Sequence, residues 1–265
     1  MWRAPDVFRI GREYSKARRF NIFFRVYFAF FGAPEIGAKI RTKLAIREIT
    51  KYPFRKLLDA GCGKGYLTFW VANRYKTTQV LGLDIDKLKL QDNLFLKESF
   101  RLSNLDYCQA DITSFRTEDK YDLIVISDVL EHIEDDLLLL KNLRACIEGA
   151  GRLVILVPRP VQHTFFAKAQ EYIVEDHVRE GYTEDEISSK LYNAGFSVLK
   201  ITRSYNFFES LASQIGNIFS SKVFIYAMLL PFISLISCIP QSLIGGEYIS
   251  NTMIVVAEPR HEPIK

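Results

Sequence analysis

Cysteine and histidine are scarce in this chain of 265 residues: there are four of each, and no Cys-x-x-Cys pair. Cys62, Cys108, Cys146 and Cys238 are scattered, with no histidine set beside them. That excludes a disulfide framework and a structural zinc site, so no metal is expected and a reducing compartment fits best. Long apolar runs are also missing. The most apolar one, Val223 to Ile239, has 17 residues without a charge and contains Pro231, short of the roughly 20 residues of a membrane span. The first apolar stretch begins only after Arg18 and Arg19 and is broken by Arg25, unlike a secretory leader. Asp6 and Glu13 are unlike a mitochondrial address. The expected location is cytoplasmic, with peripheral contact to a membrane. No internal repeat or low-complexity tract is present.

Charge is plentiful but uneven. Residues 1 to 56 carry fourteen Lys and Arg against four Asp and Glu, a net of +10, which leaves −6 for the remainder. A basic arm on an acidic body fits an anionic surface, either lipid headgroups or nucleic acid; the alternative is a solvated or internally paired arm.

From Phe54 to Val157 short apolar runs alternate with amphipathic stretches, the pattern of strand-helix-strand units in a parallel sheet. Strands are predicted at 56–58, 80–83, 106–109, 121–126 and 152–157, and helices at 66–74, 86–101 and 135–147, the last stopped at Gly149. Thr183 followed by Glu186 has capping-box spacing, so a helix is predicted from 183 to 193, closed by Gly195. Two last strands follow, at 196–202 and 252–257. The expected fold is therefore an α/β, Rossmann-like, seven-stranded and mostly parallel sheet whose last strand is antiparallel, with helices on both faces. Residues 1–50 form a basic and aromatic helical extension, 51–265 the catalytic domain, and 205–250 an apolar helical insertion between the last two strands.

Gly61, Gly63 and Gly65 follow the first strand and open a helix, where missing side chains let the backbone turn sharply and approach a ligand. Three carboxylates surround them. Asp59 precedes the loop and can hold a cationic group. Asp84 ends the second strand, the position from which an acid hydrogen-bonds ribose hydroxyls. Asp111 follows the third strand, where a carboxylate can accept from an adenine amino group. Tyr66 replaces the third glycine of the dinucleotide pattern, which argues against a pyrophosphate ligand.

The run Leu57-Leu58-Asp59-Ala60-Gly61-Cys62-Gly63-Lys64-Gly65 resembles the first motif of the class I S-adenosylmethionine-dependent methyltransferases. Leu83-Asp84-Ile85-Asp86 resembles the second, Gln109-Ala110-Asp111-Ile112 the third, and Tyr121 to Ile133 the fourth. Asp176 to Thr183 and Asn193 to Phe196 are similar to the segment before strand six in small-molecule members. The resemblance implies S-adenosyl-L-methionine as cofactor. It places Asp59 and the glycine loop at the methionine end, Asp84 on the ribose, and Ile85 against the adenine. Asp111 and Ile112 would bind the adenine edge, and Ser127 and Asp128 would border the sulfonium. Lys64 departs from the small residue common at its position.

Methyl transfer is an in-line displacement for which positioning supplies much of the barrier reduction. His132, soon after the fourth strand, is the candidate base, because imidazole titrates near neutrality; its structural alternative is a hydrogen bond at its own helix start. His163, His177, Tyr172 and Tyr182 lie where acceptor-side loops occur. The fourth motif reads Ser-Asp-Val-Leu, not the Asn/Asp-Pro-Pro-Tyr of nucleobase-methylating relatives, so a nucleic acid is not the expected acceptor.

Phe20, Phe23, Phe24, Tyr27, Phe28 and Phe31 form one helical stripe beside Arg18, Arg19 and Arg25, as in helices that lie in a membrane interface. That stripe can equally pack on the protein's own core. The insertion leaves from the carboxyl edge of the sheet, where ligands bind, so it is expected to wall the acceptor pocket as a lid or in-plane hairpin. The expected function is transfer of a methyl group to a small hydrophobic or lipid-linked acceptor, with peripheral membrane contact through 18–31 and 207–240. The alternatives are a soluble metabolite or sugar as acceptor, with the apolar segments as lid or dimer interface, and a non-catalytic cofactor-binding partner protein.

Overall fold

Seven strands form one sheet in the order β3-β2-β1-β4-β5-β7-β6. The computed structural model describes residues 26, 35–160, 165–166, 178–204, 206–219, 223–237, 239 and 250–260. Strands β1 (Lys56–Ala60), β2 (Gln79–Asp84), β3 (Leu105–Gln109), β4 (Tyr121–Ser127) and β5 (Ile147–Pro158) pair in parallel. Strand β7 (Thr252–Pro259) enters antiparallel between β5 and β6 (Phe196–Ser204). This is the expected Rossmann-like topology. The helices with described bounds are α1 (Ile36–Ile49), α2 (Tyr66–Arg74), α3 (Lys87–Ser99), α4 (Asp136–Cys146), α5 (Glu184–Asn193), α6 (Phe207–Phe219) and α7 (Val223–Ile236).

Central strands of a doubly covered sheet bury both faces, and the Leu-Ile-Val-Ile run of β4 does so: Leu123, Ile124, Val125 and Ile126 are all buried. Leu123 and Val125 join α1, α2 and part of α7 on one face, while Ile124 and Ile126 join α4 and α5 on the other. Ile36, Ile40 and Leu44 recur at helical spacing in the first of these cores, so this part of the N-terminal extension is built into the fold. The aromatic stripe from Phe20 to Phe31 lies outside the described residues, apart from Val26.

Local chemistry sets the helix starts. Asp86 caps α3 by accepting from the N–H groups of Leu88 and Lys89, and Asp135 caps α4 through Leu138. Thr183 and Glu186 form the expected capping box of α5. Most boundaries shift by one or two residues, and the largest difference is at β5: α4 ends at Cys146, and Gly149 lies within the strand that follows. Tyr121 pairs with Ile147 before the register jumps to Leu123 and Arg152, so residues 148–151 bulge out of the ladder.

Asp136 ties the region after β4 to α5. Its buried carboxylate pairs with Arg179, with Lys190 at 2.7 Å and with the Tyr182 hydroxyl at 2.7 Å. Arg179 also donates to the carbonyls of Ile133 and Glu134, and Tyr182 to that of Leu130. Removing one partner of such a network strands the others. Asp136→Ala is expected to lower stability by about 3 kcal/mol, read as a shifted urea midpoint; an unshifted midpoint would show that the network contributes nothing.

Candidate functional site

The three loop glycines answer two physical demands. Gly61, Gly63 and Gly65 all have left-handed backbones, with φ of 82°, 52° and 68°. A Cβ on Gly61 would lie 2.4 Å from Val129 Cγ2, and one on Gly65 within 2.9 Å of Asn93 and 2.7 Å of the Tyr107 hydroxyl. A Cβ on Gly63 would meet no atom within 4 Å. The first and third glycines therefore let the loop pack onto the fold, and the second faces open space. The loop is pinned to β2, since Gly61 and Cys62 both donate to the Leu83 carbonyl, at 2.8 and 2.7 Å.

The carboxylates gather around that loop. Asp84 accepts from the N–H groups of Gly63 at 2.7 Å and Asp86 at 2.9 Å. Asn93 donates to the Gly63 carbonyl at 2.8 Å. Asp59 is buried at the end of β1, where desolvation, reinforced by the charge of Asp84, pushes its pKa from 3.8 to about 7. Asp111 sits at the exposed rim, and hydrogen bonds from the Thr113 hydroxyl and N–H hold its carboxyl below the usual range. Ile112 is buried, whereas Ile85 is 68% exposed although apolar, a bare platform at the end of β2.

These residues line one cavity of about 1010 Å³, at the top of the range for small-molecule sites and roomy enough for two ligands side by side. Asp59, Gly61, Gly63, Asp84, Ile85, Asp111, Ile112, Ser127, Asp128 and His132 all border it; Gly65, turned toward Asn93 and Tyr107, does not. His132 ends a 3₁₀ turn, Leu130–His132, with its backbone N–H bonded to the Val129 carbonyl at 3.0 Å and its side chain exposed. His163, Tyr172 and His177 lie outside the described residues. Tyr182 is buried in the Asp136 network and does not line the cavity. Among the described residues no cluster of three or more His, Cys, Asp or Glu is arranged to hold a metal ion.

Helix α1 supplies what sequence reasoning missed. Glu35, at its N-cap, pairs with Lys64 and accepts from the Tyr66 hydroxyl at 2.5 Å. Lys64 thus departs from a small residue because it clamps α1 to the glycine loop. Nearly two turns further, Arg41 pairs with Asp128, whose own φ is 50°. Glu131, behind Asp128, is 1% exposed, and burial together with Asp128 drives its pKa upward. Its Oε2 has no hydrogen-bond partner among the described residues. Glu35, Ile36, Arg41 and Ala45 close the cavity from above, and Ser213, Asn217 and Tyr226 of α6 and α7 complete that wall.

The insertion is fastened from within. Asn206 and Glu209 cap each other reciprocally, at 3.1 and 2.9 Å, and Lys43 of α1 reaches Glu209 at 3.3 Å. Gln214 accepts from the Phe165 N–H at 2.7 Å. Among the described residues no helix is long and apolar enough to cross a membrane.

Residues 55–199 match the family profile of a methyltransferase domain. Among curated proteins, the chain is 28% identical over 164 residues to an (S)-coclaurine N-methyltransferase of Thalictrum flavum subsp. glaucum, covering 61% of this chain and 42% of that protein. The matches span less than half the length of the first plant relatives. Among solved structures, phosphoethanolamine N-methyltransferase 2 of Haemonchus contortus superposes with a TM-score of 0.59 at 20% identity, covering 82% of this chain and 52% of that one. The cyclase SpnF superposes equally well, with a TM-score of 0.59 at 16% identity over 83% of this chain and 80% of that one.

Two predictions follow from the geometry of the loop and its acids. An unfolded Asp59 ionises near 3.8 and the folded one near 7, so its ionisation lowers stability as pH rises between those values. A cation bound beside it favours the carboxylate and expels the proton. Affinity for a cationic adenosyl cofactor should therefore rise from about pH 6 to about pH 8, and calorimetry should find that rise absent in Asp59→Asn. An equal rise in both would remove Asp59 as the cause. Separately, Gly61→Ala should cost about 2–4 kcal/mol of stability through overlap with Val129. Gly63→Ala should cost only about 1–2 kcal/mol while weakening cofactor binding. Melting midpoints and calorimetry on the same two variants separate packing from contact.

Proposed function

The chain belongs to the methyltransferase-domain family, and on that premise we propose that it is an S-adenosyl-L-methionine-dependent methyltransferase acting on a hydrophobic or lipid-linked small molecule met at a membrane surface. One observation carries the reading: the cavity is continuous from the acids of β1 and β2 to a second wall built by α1, α6 and α7. A cofactor and an acceptor can therefore lie end to end.

The residues present fit the cofactor. Open space at Gly63 leaves room for it, the bare Ile85 gives an apolar ring a platform, and the buried Asp59 beside Asp84 calls for a cation. Asp84 would hold the ribose hydroxyls, Asp59 the ammonium group, and Asp111 with Ile112 the adenine edge. When bound, S-adenosylmethionine supplies a methyl group on a positively charged sulfur, which leaves as the neutral thioether.

The chain's own residues orient the reactants. Ser127 and Asp128, at the end of β4, border the point where donor and acceptor meet. Ile36, Ala38, Ala45 and Tyr226 line the acceptor side beside Arg41, Ser213 and Asn217, so the wall takes an apolar body that carries a polar group. The attacking atom is an amine or hydroxyl, and its proton goes to a ring nitrogen of His132, which is exposed at the cavity wall. Positioning supplies the rest. Support for a small-molecule acceptor comes from the curated relatives, which include the (S)-coclaurine N-methyltransferase.

Titration calorimetry with S-adenosylmethionine tests the donor. Wild type should bind, and Asp84→Ala should bind about tenfold to a hundredfold more weakly, since it loses charged hydrogen bonds and frees Gly63. No heat with wild type, or equal affinity in the variant, would defeat the assignment. Transfer of labelled methyl into a chloroform-extractable product, and its absence from the aqueous fraction, would identify the acceptor class; the reverse partition would make the acceptor a soluble metabolite.

A further inference from the structure

The outer face of α7 is apolar and has no protein partner among the described residues. Ile225, Met228, Phe232 and Leu235 are 44%, 74%, 64% and 68% exposed, and their spacing of three, four and three residues puts them on one side of the helix. The opposite side faces inward. Leu230 and Ile233 belong to the main core, and Tyr226 lines the cavity. One helix therefore separates the acceptor wall from an exposed stripe of large apolar side chains.

We infer that this stripe is a membrane-docking face, which lies in the plane of an anionic lipid surface and brings the cavity to its acceptor. The inference rests on the methyltransferase reading and adds to it the surface by which a lipid-borne acceptor is reached. Charge supports lipid as the occupant. Ile36, the first residue of α1, lies against α6 and α7, since a Cβ on Gly216 would be 3.6 Å from Ile36 Cβ and 3.8 Å from Tyr226. The sequence that enters the fold there, residues 1–34, carries seven Lys and Arg against two Asp and Glu, and Lys222 directly precedes α7. In sequence, basic stretches joined to an uncharged apolar helix are the composition of an interfacial segment on anionic lipid.

Length and sequence argue against a membrane crossing and against a coiled-coil pairing. Fourteen residues rise about 21 Å, less than the roughly 30 Å hydrocarbon core, so α7 lies in the interface and does not cross it. A paired coiled coil with a second copy would use charged residues flanking the seam to set its register. From Val223 to Ile236 there is no charge, and Pro231 interrupts the hydrogen-bond ladder.

Flotation of the full chain with vesicles of phosphatidylcholine and phosphatidylglycerol in equal parts tests the inference. Wild type should float, and Met228→Glu/Phe232→Glu should lose about tenfold or more of its bound fraction. Affinity for S-adenosylhomocysteine should stay within about twofold, because the stripe faces away from the cavity; this also verifies that the variant is folded. Equal flotation of both proteins, or of neither, overturns the docking face. So does a dimer in sedimentation that the substitutions convert to a monomer, which would assign the stripe to a second copy. Failure of wild type to bind S-adenosylhomocysteine would instead overturn the methyltransferase reading, and flotation would still report on the face alone.

Discussion

Two carboxylates held at the ends of adjacent parallel strands are the constraint around which the site is organised. Parallel pairing of β1 with β2 sets Asp59 opposite Gly82, and Asp84 lies two residues further on. Burying a carboxylate beside another one is costly unless a proton or a cation relieves it, and this is why Asp59 is displaced toward neutrality. The fold accepts the cost because the rest of the loop is tied down independently. Gly61 and Cys62 hang on Leu83, while Asp84 and Asn93 hold Gly63. A rigid loop beside a buried pair of acids is pre-organised for a cationic ligand that needs no phosphate cradle.

The same logic extends to α1. Helix α1 reaches the glycine loop through Glu35 and Lys64, the end of β4 through Arg41 and Asp128, and the insertion through Lys43 and Glu209. These contacts are charged and only partly exposed, so each is modest alone, but together they fix one helix over both halves of the cavity. Its apolar face sits in the core of β1 and β4. Movement of α1 would therefore open donor and acceptor sides at once, whereas movement of α6 and α7 alone would open the acceptor side.

Most of the sheet was legible in the sequence because its signals are local. The Leu-Ile-Val-Ile run of β4, the glycines after β1 and the capping box at Thr183 each specify their element within a few residues, and the structure has all three. The acids at strand ends were legible for the same reason: topology alone brings Asp59, Asp84 and Asp111 to one edge. What escaped was long-range. Glu35 and Arg41 are unremarkable charges on an amphipathic stretch until α1 is laid across the cavity, and nothing near Lys64 marks a partner 29 residues earlier. The bulge at 148–151 escaped because a glycine after a helix is ordinarily its stop, and here register with β4 decides instead.

The insertion combines an apolar run too short to span a membrane with several polar side chains, and the fold decides which of them face inward. In the fold the polar groups are the inner ones: Glu209, Ser210 and Gln214 are buried, with Glu209 and Gln214 bonded to Asn206, Lys43 and Phe165. Four large apolar side chains of α7, Ile225, Met228, Phe232 and Leu235, face outward, while Leu230 and Ile233 face the core. An outward apolar stripe is the reverse of what water selects for a surface helix. Among the described helices α7 is also the one without a charge along its length. Under the proposed methyltransferase reading, an acceptor whose apolar part is not in water would suit a cavity walled by such a helix.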